Sequence, residues 1–126
     1  MDDLKDETDY VVVGSGIAGL RAAIDLAEAG RVTIFTKSQI TESNSMYAQG
    51  GIAAAIAGND DTTKHYADTM AAGAGLCDPD AVRVLVEEGP AEIERLLGWG
   101  ADFEREGKTL ALSREGGHSI DRKSVV

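Results

Sequence analysis

The stretch YVVVGSGIAG, Tyr10–Gly19, decides the fold of this chain. Its first four residues form a β-branched run that ends at a glycine, as a buried parallel strand does. Apolar residues then recur at helical spacing over Ile17–Ala29, and we expect Gly30 to end that helix as its C-cap. A second strand-like run, Val32–Phe35, follows. The order strand, helix, strand predicts a parallel βαβ crossover.

Three glycines in the pattern GxGxxG lie between the first strand and the helix, which is the context that a dinucleotide-binding turn requires. The first allows a tight turn, the second lets the backbone approach a pyrophosphate, and the third lets helix and strand pack closely. Amides at the helix N-terminus favour the phosphate charge. We therefore predict an α/β fold with a Rossmann-like βαβ unit, although a purely structural glycine-rich turn is the alternative. The predicted cofactor-binding residues of this turn are Gly14, Ser15, Gly16, Ile17, Ala18 and Gly19.

The end of the second strand departs from the usual dinucleotide-binding pattern. Where an Asp or Glu commonly binds the ribose hydroxyls, this chain has Thr36 and Lys37. Lys37 is either a solvated surface residue or a partner for a phosphate or adenosine group of the cofactor. The turn and strand alone do not choose between FAD and NAD.

The rest of the chain contains a long loop and two helices. Ile40–Gly58 is rich in small and polar residues without clean periodicity, which is typical of a functional loop that contains at most one small-residue helix. Thr62–Ala72 is predicted to be helical, and Asp78-Pro79 is predicted to open a further helix as N-cap and first-turn proline. We expect Gly89-Pro90 to interrupt or kink that helix. A strand-like piece follows at Thr109–Leu112.

Composition narrows the classes of function. The chain has 126 residues, which suits one compact domain after an acidic, flexible leader over residues 1–9. Twenty-two acidic and twelve basic residues give a net charge of -10, which argues against binding to nucleic acid or an anionic membrane. The first nine residues are mostly acidic, whereas a signal peptide needs a basic flank and an apolar run, and no apolar run approaches the roughly 20 residues of a membrane span. These features predict a cytoplasmic protein.

The segment SNSMYAQGG, residues 43–51, resembles the signature that follows the second strand in fumarate reductase and aspartate oxidase flavoproteins of the succinate dehydrogenase superfamily. The resemblance implies an FAD-binding unit in which this loop lies along the flavin and the glycine-rich end approaches the isoalloxazine ring. A small-residue loop that only packs tightly is the alternative. The residues that inherit cofactor contacts from the resemblance are Ser43, Asn44, Ser45, Tyr47, Ala48, Gln49, Gly50 and Gly51.

Two positions connect the resemblance to the oxidase branch. Respiratory members of the superfamily place a histidine that bonds covalently to FAD at the position of Asn44, and asparagine cannot make that bond. The resemblance therefore implies noncovalent FAD. Lys37 also fits, because the oxidase branch tolerates a lysine where other flavoproteins have an acid.

The stretch REGGHS, Arg114–Ser119, resembles the segment that returns the chain to the substrate side of the flavin. In dicarboxylate dehydrogenases an apolar aromatic residue takes the place of Glu115, whereas aspartate oxidases have Glu. A carboxylate can recognise the α-ammonium that distinguishes aspartate from succinate. We assign Glu115 to the substrate, and the alternative is a surface Glu paired with Arg114. His65 and Asp68 are interpreted as structural.

The resemblance implies an enzyme that transfers hydride from C2 of L-aspartate to flavin, giving iminoaspartate for NAD biosynthesis through quinolinate. It further implies oxygen or fumarate as the electron acceptor and quinolinate synthase as a partner. The arginines and histidines that act on the substrate in this family lie downstream of the matched region, so we expect no catalytic residue in this chain. The single Cys77 has no metal-ligand spacing around it, so no metal site is expected either.

The end of the chain departs from the family pattern. After Arg122 the family continues with an aliphatic residue and a histidine, whereas this chain has Lys123-Ser-Val-Val126. We therefore expect residues 10–126 to be the N-terminal part of the FAD-binding domain, truncated before the capping domain is complete and inactive alone. The alternatives are a noncatalytic FAD-binding fragment and part of another fumarate reductase-type flavoprotein.

Overall fold

The structure is a computed structural model that describes residues 7–43, 47 and 50–125. The chain divides into two compact units, Met1–Gln49 and Gly50–Val126.

The first unit is a strand-helix-strand motif. Strand β1 (Tyr10–Val13) is followed by helix α1 (Ile17–Leu26) and strand β2 (Val32–Phe35). β1 pairs with β2 in parallel, with Tyr10 opposite Val32 and Val13 opposite Phe35. The predicted parallel βαβ unit and the α/β class are confirmed.

Helix α1 ends at Leu26, so the prediction that it extends to Ala29 and is capped by Gly30 is wrong. The helix closes earlier because tight backbone turns replace its last turn, with Ala29 N–H donating to the carbonyl of Leu26 at 2.9 Å. Gly30 is needed for a close approach instead, since a Cβ there would lie 2.8 Å from Asp9 Oδ2. That same carboxylate accepts from the backbone N–H of Arg31 at 2.8 Å. Asp9, at the end of the predicted leader, is therefore joined to the start of β2.

The second unit combines two helices with short antiparallel strand pairs. Strand β3 (Gly51–Ala53) pairs with strand β6 (Lys123–Val125), so that Ala53 lies opposite Lys123. Strand β4 (Arg105–Glu106) pairs with β5 (Thr109–Leu110). β3 lies inside the stretch expected to be a loop, because its sequence Gly-Ile-Ala has no β-branched run and its partner is near the other end of the unit.

Both predicted helices of the second unit form, and side chains cap them. Helix α2 (Thr62–Ala72) begins after Asp61, whose carboxylate accepts from the backbone N–H of Lys64 at 2.8 Å. Helix α3 (Pro79–Gly98) begins after Asp78 in the same way. Of the expected interruption or kink at Gly89-Pro90, the interruption is wrong: α3 continues through Pro90.

Packing on both sides of the proline stabilises α3. Val86 and Ile93 are each 2% exposed, so the helix buries apolar residues before and after Pro90. That burial offsets the hydrogen bond that proline cannot donate. The core of this unit is formed by Ala54, Ile93 and Phe103, with Ile56, Leu96, Leu97, Ala101 and Leu110 packed against them.

Candidate functional site

The glycine-rich turn of the first unit is built as the sequence predicts. Gly14 has a φ of 108°, a backbone conformation that favours glycine, and its N–H donates to the carbonyl of Phe35 at 2.8 Å. Gly16 is the N-cap of α1. A Cβ on Gly19 would overlap the carbonyl oxygen of Gly14, so the third glycine lets the helix pack directly over the turn.

Ser15 connects this turn to the end of β2. The residue is 5% exposed, and its hydroxyl lies 3.1 Å from the hydroxyl of Thr36. This hydrogen bond stabilises the turn beside the C-terminal end of the neighbouring parallel strand. In open α/β sheets ligands bind at that end of the strands.

A cleft of about 660 Å³ opens at the C-terminal ends of β1 and β2. Its volume is within the range of small-molecule sites, about 300–1,000 Å³. The predicted residues Lys37, Ser43 and Tyr47 lie on its wall, while Ile17, Ala18 and Gly19 lie in the first turn of α1. The complete lining is Val13, Gly14, Ser15, Gly16, Phe35, Thr36, Lys37, Ser38, Glu42, Ser43 and Tyr47.

Glu42 is a cleft residue that the sequence analysis did not identify. Its carboxylate accepts a hydrogen bond from the Tyr47 hydroxyl at 2.7 Å, and this bond raises the pKa of Tyr47. Glu42 precedes the recognised segment and follows no periodic pattern, so no sequence signal marked it. The cleft therefore contains a carboxylate as well as the exposed Lys37.

Of the remaining predicted cofactor residues, the structure describes two. Gly50 and Gly51 belong to the second unit, where Gly51 begins β3. A Cβ on Gly51 would overlap the carbonyl oxygen of Ser124, so only glycine allows this strand pairing without a shift. Four predicted cofactor residues lie outside the described part of the chain: Asn44, Ser45, Ala48 and Gln49.

A buried ion-pair cluster in the second unit is built around Arg122. The side chains of Arg122 and Asp60 have no exposed surface, and the guanidinium donates to Asp60 through Nε and through Nη2, the latter at 2.7 Å. Nη1 donates to Asp68 at 2.5 Å. These hydrogen bonds raise the pKa of Arg122 and hold the pKa of Asp60 below its usual value, so all three groups are charged at neutral pH.

Asp68 holds the segment that contains Glu115. Its Oδ2 accepts from the Ser119 hydroxyl at 2.6 Å and from the Ser119 backbone N–H at 2.8 Å. The bonds from Ser119, together with the one from Arg122, keep the pKa of Asp68 well below its usual range. Asp68 therefore stabilises a loop that is distant in sequence, in accordance with its interpretation as a structural residue.

Glu115 is paired with Lys123 rather than with Arg114. Lys123 Nζ donates to Glu115 Oε1 at 2.5 Å, and this contact lowers the pKa of Glu115. Arg114 Nε instead donates to Asp121 at 3.0 Å. The alternative of an Arg114–Glu115 pair is therefore wrong. Half of the Glu115 side chain, 49%, remains exposed to solvent.

His65 and His118 form an edge-to-face ring pair with centroids 5.9 Å apart. His65 is 5% exposed, and its burial lowers its pKa, so the imidazole is neutral at neutral pH. Within the described residues, neither Nδ1 atom has a hydrogen-bond partner. The pair packs α2 against the segment that contains Glu115 and Ser119.

Comparison with known protein families shows to which family the chain belongs. The sequence model described as the FAD binding domain matches residues 9–126. The chain belongs to this family. Its cofactor is accordingly FAD, and the turn and cleft of the first unit fit a phosphate-containing cofactor. In the part of the chain that is described, no side chain caps α1, which leaves its N-terminal dipole facing the cleft side of the turn.

Curated relatives of this FAD-binding domain are L-aspartate oxidases. It is 51% identical over 112 residues to the enzyme of Streptomyces coelicolor, covering 87% of this chain and 19% of that protein. It is 45% identical over 123 residues to the enzyme of Neisseria meningitidis, covering 98% and 24%. The chloroplastic enzyme of Oryza sativa is 48% identical over 124 residues, covering 94% and 19%. The chain thus spans about a fifth of the length of these relatives.

Solved structures show the same fold. Mycobacterium smegmatis Sdh1 in complex with UQ1 superposes with a TM-score of 0.87 at 34% identity, covering 94% of this chain and 21% of that one. E. coli quinol fumarate reductase FrdA gives 0.86 at 35% identity, covering 93% and 21%. None of the helices that the structure describes is long and apolar enough to cross a membrane.

Proposed function

We propose that this chain is the FAD-binding part of an L-aspartate oxidase, an oxidoreductase that converts L-aspartate to iminoaspartate. The observation that carries the proposal is Glu115, an ionised and half-exposed carboxylate on a loop that Asp68 holds in place. The identity of 45–51% to proteins named L-aspartate oxidase supports the same assignment. FAD, when bound, accepts the hydride, and the residues of this chain bind and orient the reactants.

The first unit would bind the phosphates of FAD. Backbone amides of the turn that follows Gly14, at the N-terminus of α1, would supply the donors. Lys37 and Ser43 on the cleft wall would supply further donors to phosphate or adenosine groups. Asn44 has no group that bonds covalently to flavin, which supports noncovalent FAD.

Glu115 would recognise the substrate α-ammonium. Its lowered pKa keeps it anionic at neutral pH, and its exposed half is accessible to an incoming cation. A carboxylate paired with an ammonium distinguishes aspartate from succinate, which has no positive charge. We assign Glu115 to substrate binding rather than to chemistry, because proton transfer is expected to involve residues outside this chain.

The proposed reaction defines the other partners. Oxygen or fumarate would reoxidise the reduced cofactor, and the similarity to quinol fumarate reductase supports fumarate as an acceptor. Iminoaspartate is an unstable imine, so an enzyme that consumes it, such as quinolinate synthase in NAD biosynthesis, would act next. We also propose a cytoplasmic location, which the acidic composition of the chain supports.

A second candidate is part of a fumarate reductase-type flavoprotein. The TM-scores of 0.87 to Sdh1 and 0.86 to FrdA favour it, and the carboxylate at position 115 opposes it. A noncatalytic FAD-binding fragment is the third possibility. The three differ in whether L-aspartate, succinate or neither reduces the flavin.

The test uses a chimera in which this chain replaces the stretch of Neisseria meningitidis L-aspartate oxidase that it matches. We expect kcat/KM for L-aspartate to exceed that for succinate. Glu115→Gln should lower kcat/KM for L-aspartate by about 10- to 150-fold, because a hydrogen bond to a charged group contributes about 1.5–3 kcal/mol. Arg114→Gln, which removes an exposed ion pair on the same loop, is the matched control. Faster turnover of succinate than of L-aspartate would refute the proposal.

A further inference from the structure

Lys123 and Glu115 form an ion pair inside the proposed ammonium site. The pair distance is 2.5 Å, with the side chain of Lys123 25% exposed and that of Glu115 49% exposed. The side-chain ammonium of Lys123 thus pairs with the Glu115 carboxylate, to which a substrate ammonium would also have to bind. Lysine and the α-ammonium of an amino acid present the same donor to a carboxylate.

Backbone hydrogen bonds hold Lys123 on two sides. Lys123 lies opposite Ala53 in the β3–β6 pair. On its other side it exchanges hydrogen bonds with Ser113, its N–H donating at 3.0 Å and its carbonyl accepting at 2.9 Å. The strand position therefore keeps Lys123 within reach of Glu115.

The aliphatic stem of Lys123 runs over Gly51. Its Cγ lies 2.9 Å from the position that a Gly51 Cβ would take, so the missing side chain makes room for the lysine. Gly51 is one of the residues that we propose to contact flavin. The stem of Lys123 therefore lies beside a proposed cofactor contact.

We propose that Lys123 is a specificity-determining residue that competes with the substrate α-ammonium for Glu115. The proposal rests on the proposed function of Glu115. A substrate with an ammonium must displace Lys123 before it binds, whereas a dicarboxylate without one meets a carboxylate that is already neutralised. Lys123 thus weakens the binding of L-aspartate and strengthens that of succinate.

The first measurement tests the ion pair in the full chain. The carboxyl carbon of Glu115 is followed by NMR through an acid titration in the parent chain, in Lys123→Met and in Arg114→Gln. We expect Lys123→Met to raise the pKa of Glu115 and Arg114→Gln to leave it unchanged, because Arg114 pairs with Asp121. His118, which also lowers the pKa of Glu115, is present in all three chains. An unchanged pKa of Glu115 in Lys123→Met would overturn the proposal.

The second measurement tests competition in the chimera with the Neisseria meningitidis enzyme. Lys123→Met and Lys123→Gln should lower KM for L-aspartate by about 1.5- to 5-fold, the range expected for a partly exposed ion pair, with kcat unchanged. The inhibition constant of succinate should rise in both variants. A KM for L-aspartate that stays constant or rises in both would overturn the role of Lys123. Absence of turnover in every version, including the parent chimera, would instead refute the proposed function.

Discussion

Replacing Arg122 with methionine is expected to lower the free energy of unfolding of the second unit by about 3–5 kcal/mol. Arg122 and Asp60 have fully buried side chains, and the guanidinium donates twice to Asp60 and once to Asp68. Methionine fills similar volume without charge, so it leaves the Asp60 carboxylate buried without a counter-ion. The cost is that of an uncompensated buried charge, which is far larger than that of an exposed pair.

Urea denaturation followed by Trp99 fluorescence measures this cost. Trp99 is the single tryptophan and lies in the second unit, so its signal reports the unfolding of that unit. With a slope of about 1–3 kcal/mol per M, the midpoint should fall by at least about 1 M. The double variant Arg122→Met, Asp60→Asn should recover part of the lost free energy of unfolding, because Asp60→Asn removes the unpaired buried charge. A loss below about 1 kcal/mol in the single variant would refute the reasoning.

Three further predictions follow from the same geometry. Gly19→Ala should weaken FAD binding by about tenfold or more, because the added Cβ overlaps the Gly14 carbonyl. Flavin fluorescence measures the affinity, and Gly58→Ala, where the space is open, is the control. Because the pKa values of Asp60 and Asp68 are lowered, these carboxylates should stabilise the fold fully above pH ~4 and progressively less in more acidic solution. Urea midpoints measured against pH test this, and a constant midpoint down to pH ~2 would contradict it. Acid precipitation of the FAD complex should release all flavin into the supernatant, and flavin retained in the pellet would show a covalent bond.

The sequence predicted the first unit well because its signals are local. The strand, the GxGxxG turn and the second strand lie within one short stretch, and each glycine has a steric reason that can be stated beforehand. The capping residues Asp61 and Asp78 were likewise local signals. The end of α1 was misplaced because Gly30 resembles a helix cap but is required by its contact with Asp9.

The second unit was less predictable because its decisive contacts are distant in sequence. β3 and β6 are three residues each and pair across nearly the whole unit, so neither has a recognisable pattern alone. The pairing of Arg122 with Asp60 and Asp68 joins segments that no spacing rule relates. The partner of Glu115 was missed because the backbone pairing of Lys123 with Ser113 brings it close to Glu115, and no sequence pattern marks that pairing.

The most direct test of the central claim is anaerobic reduction of the flavin in the Neisseria meningitidis chimera. L-aspartate is mixed with the FAD-loaded protein, and the visible absorption band of oxidised flavin is followed with time. The account predicts that L-aspartate bleaches the band and that Glu115→Gln slows the bleaching at low substrate concentration. If succinate bleaches the flavin while L-aspartate does not, this chain is not the FAD-binding part of an L-aspartate oxidase.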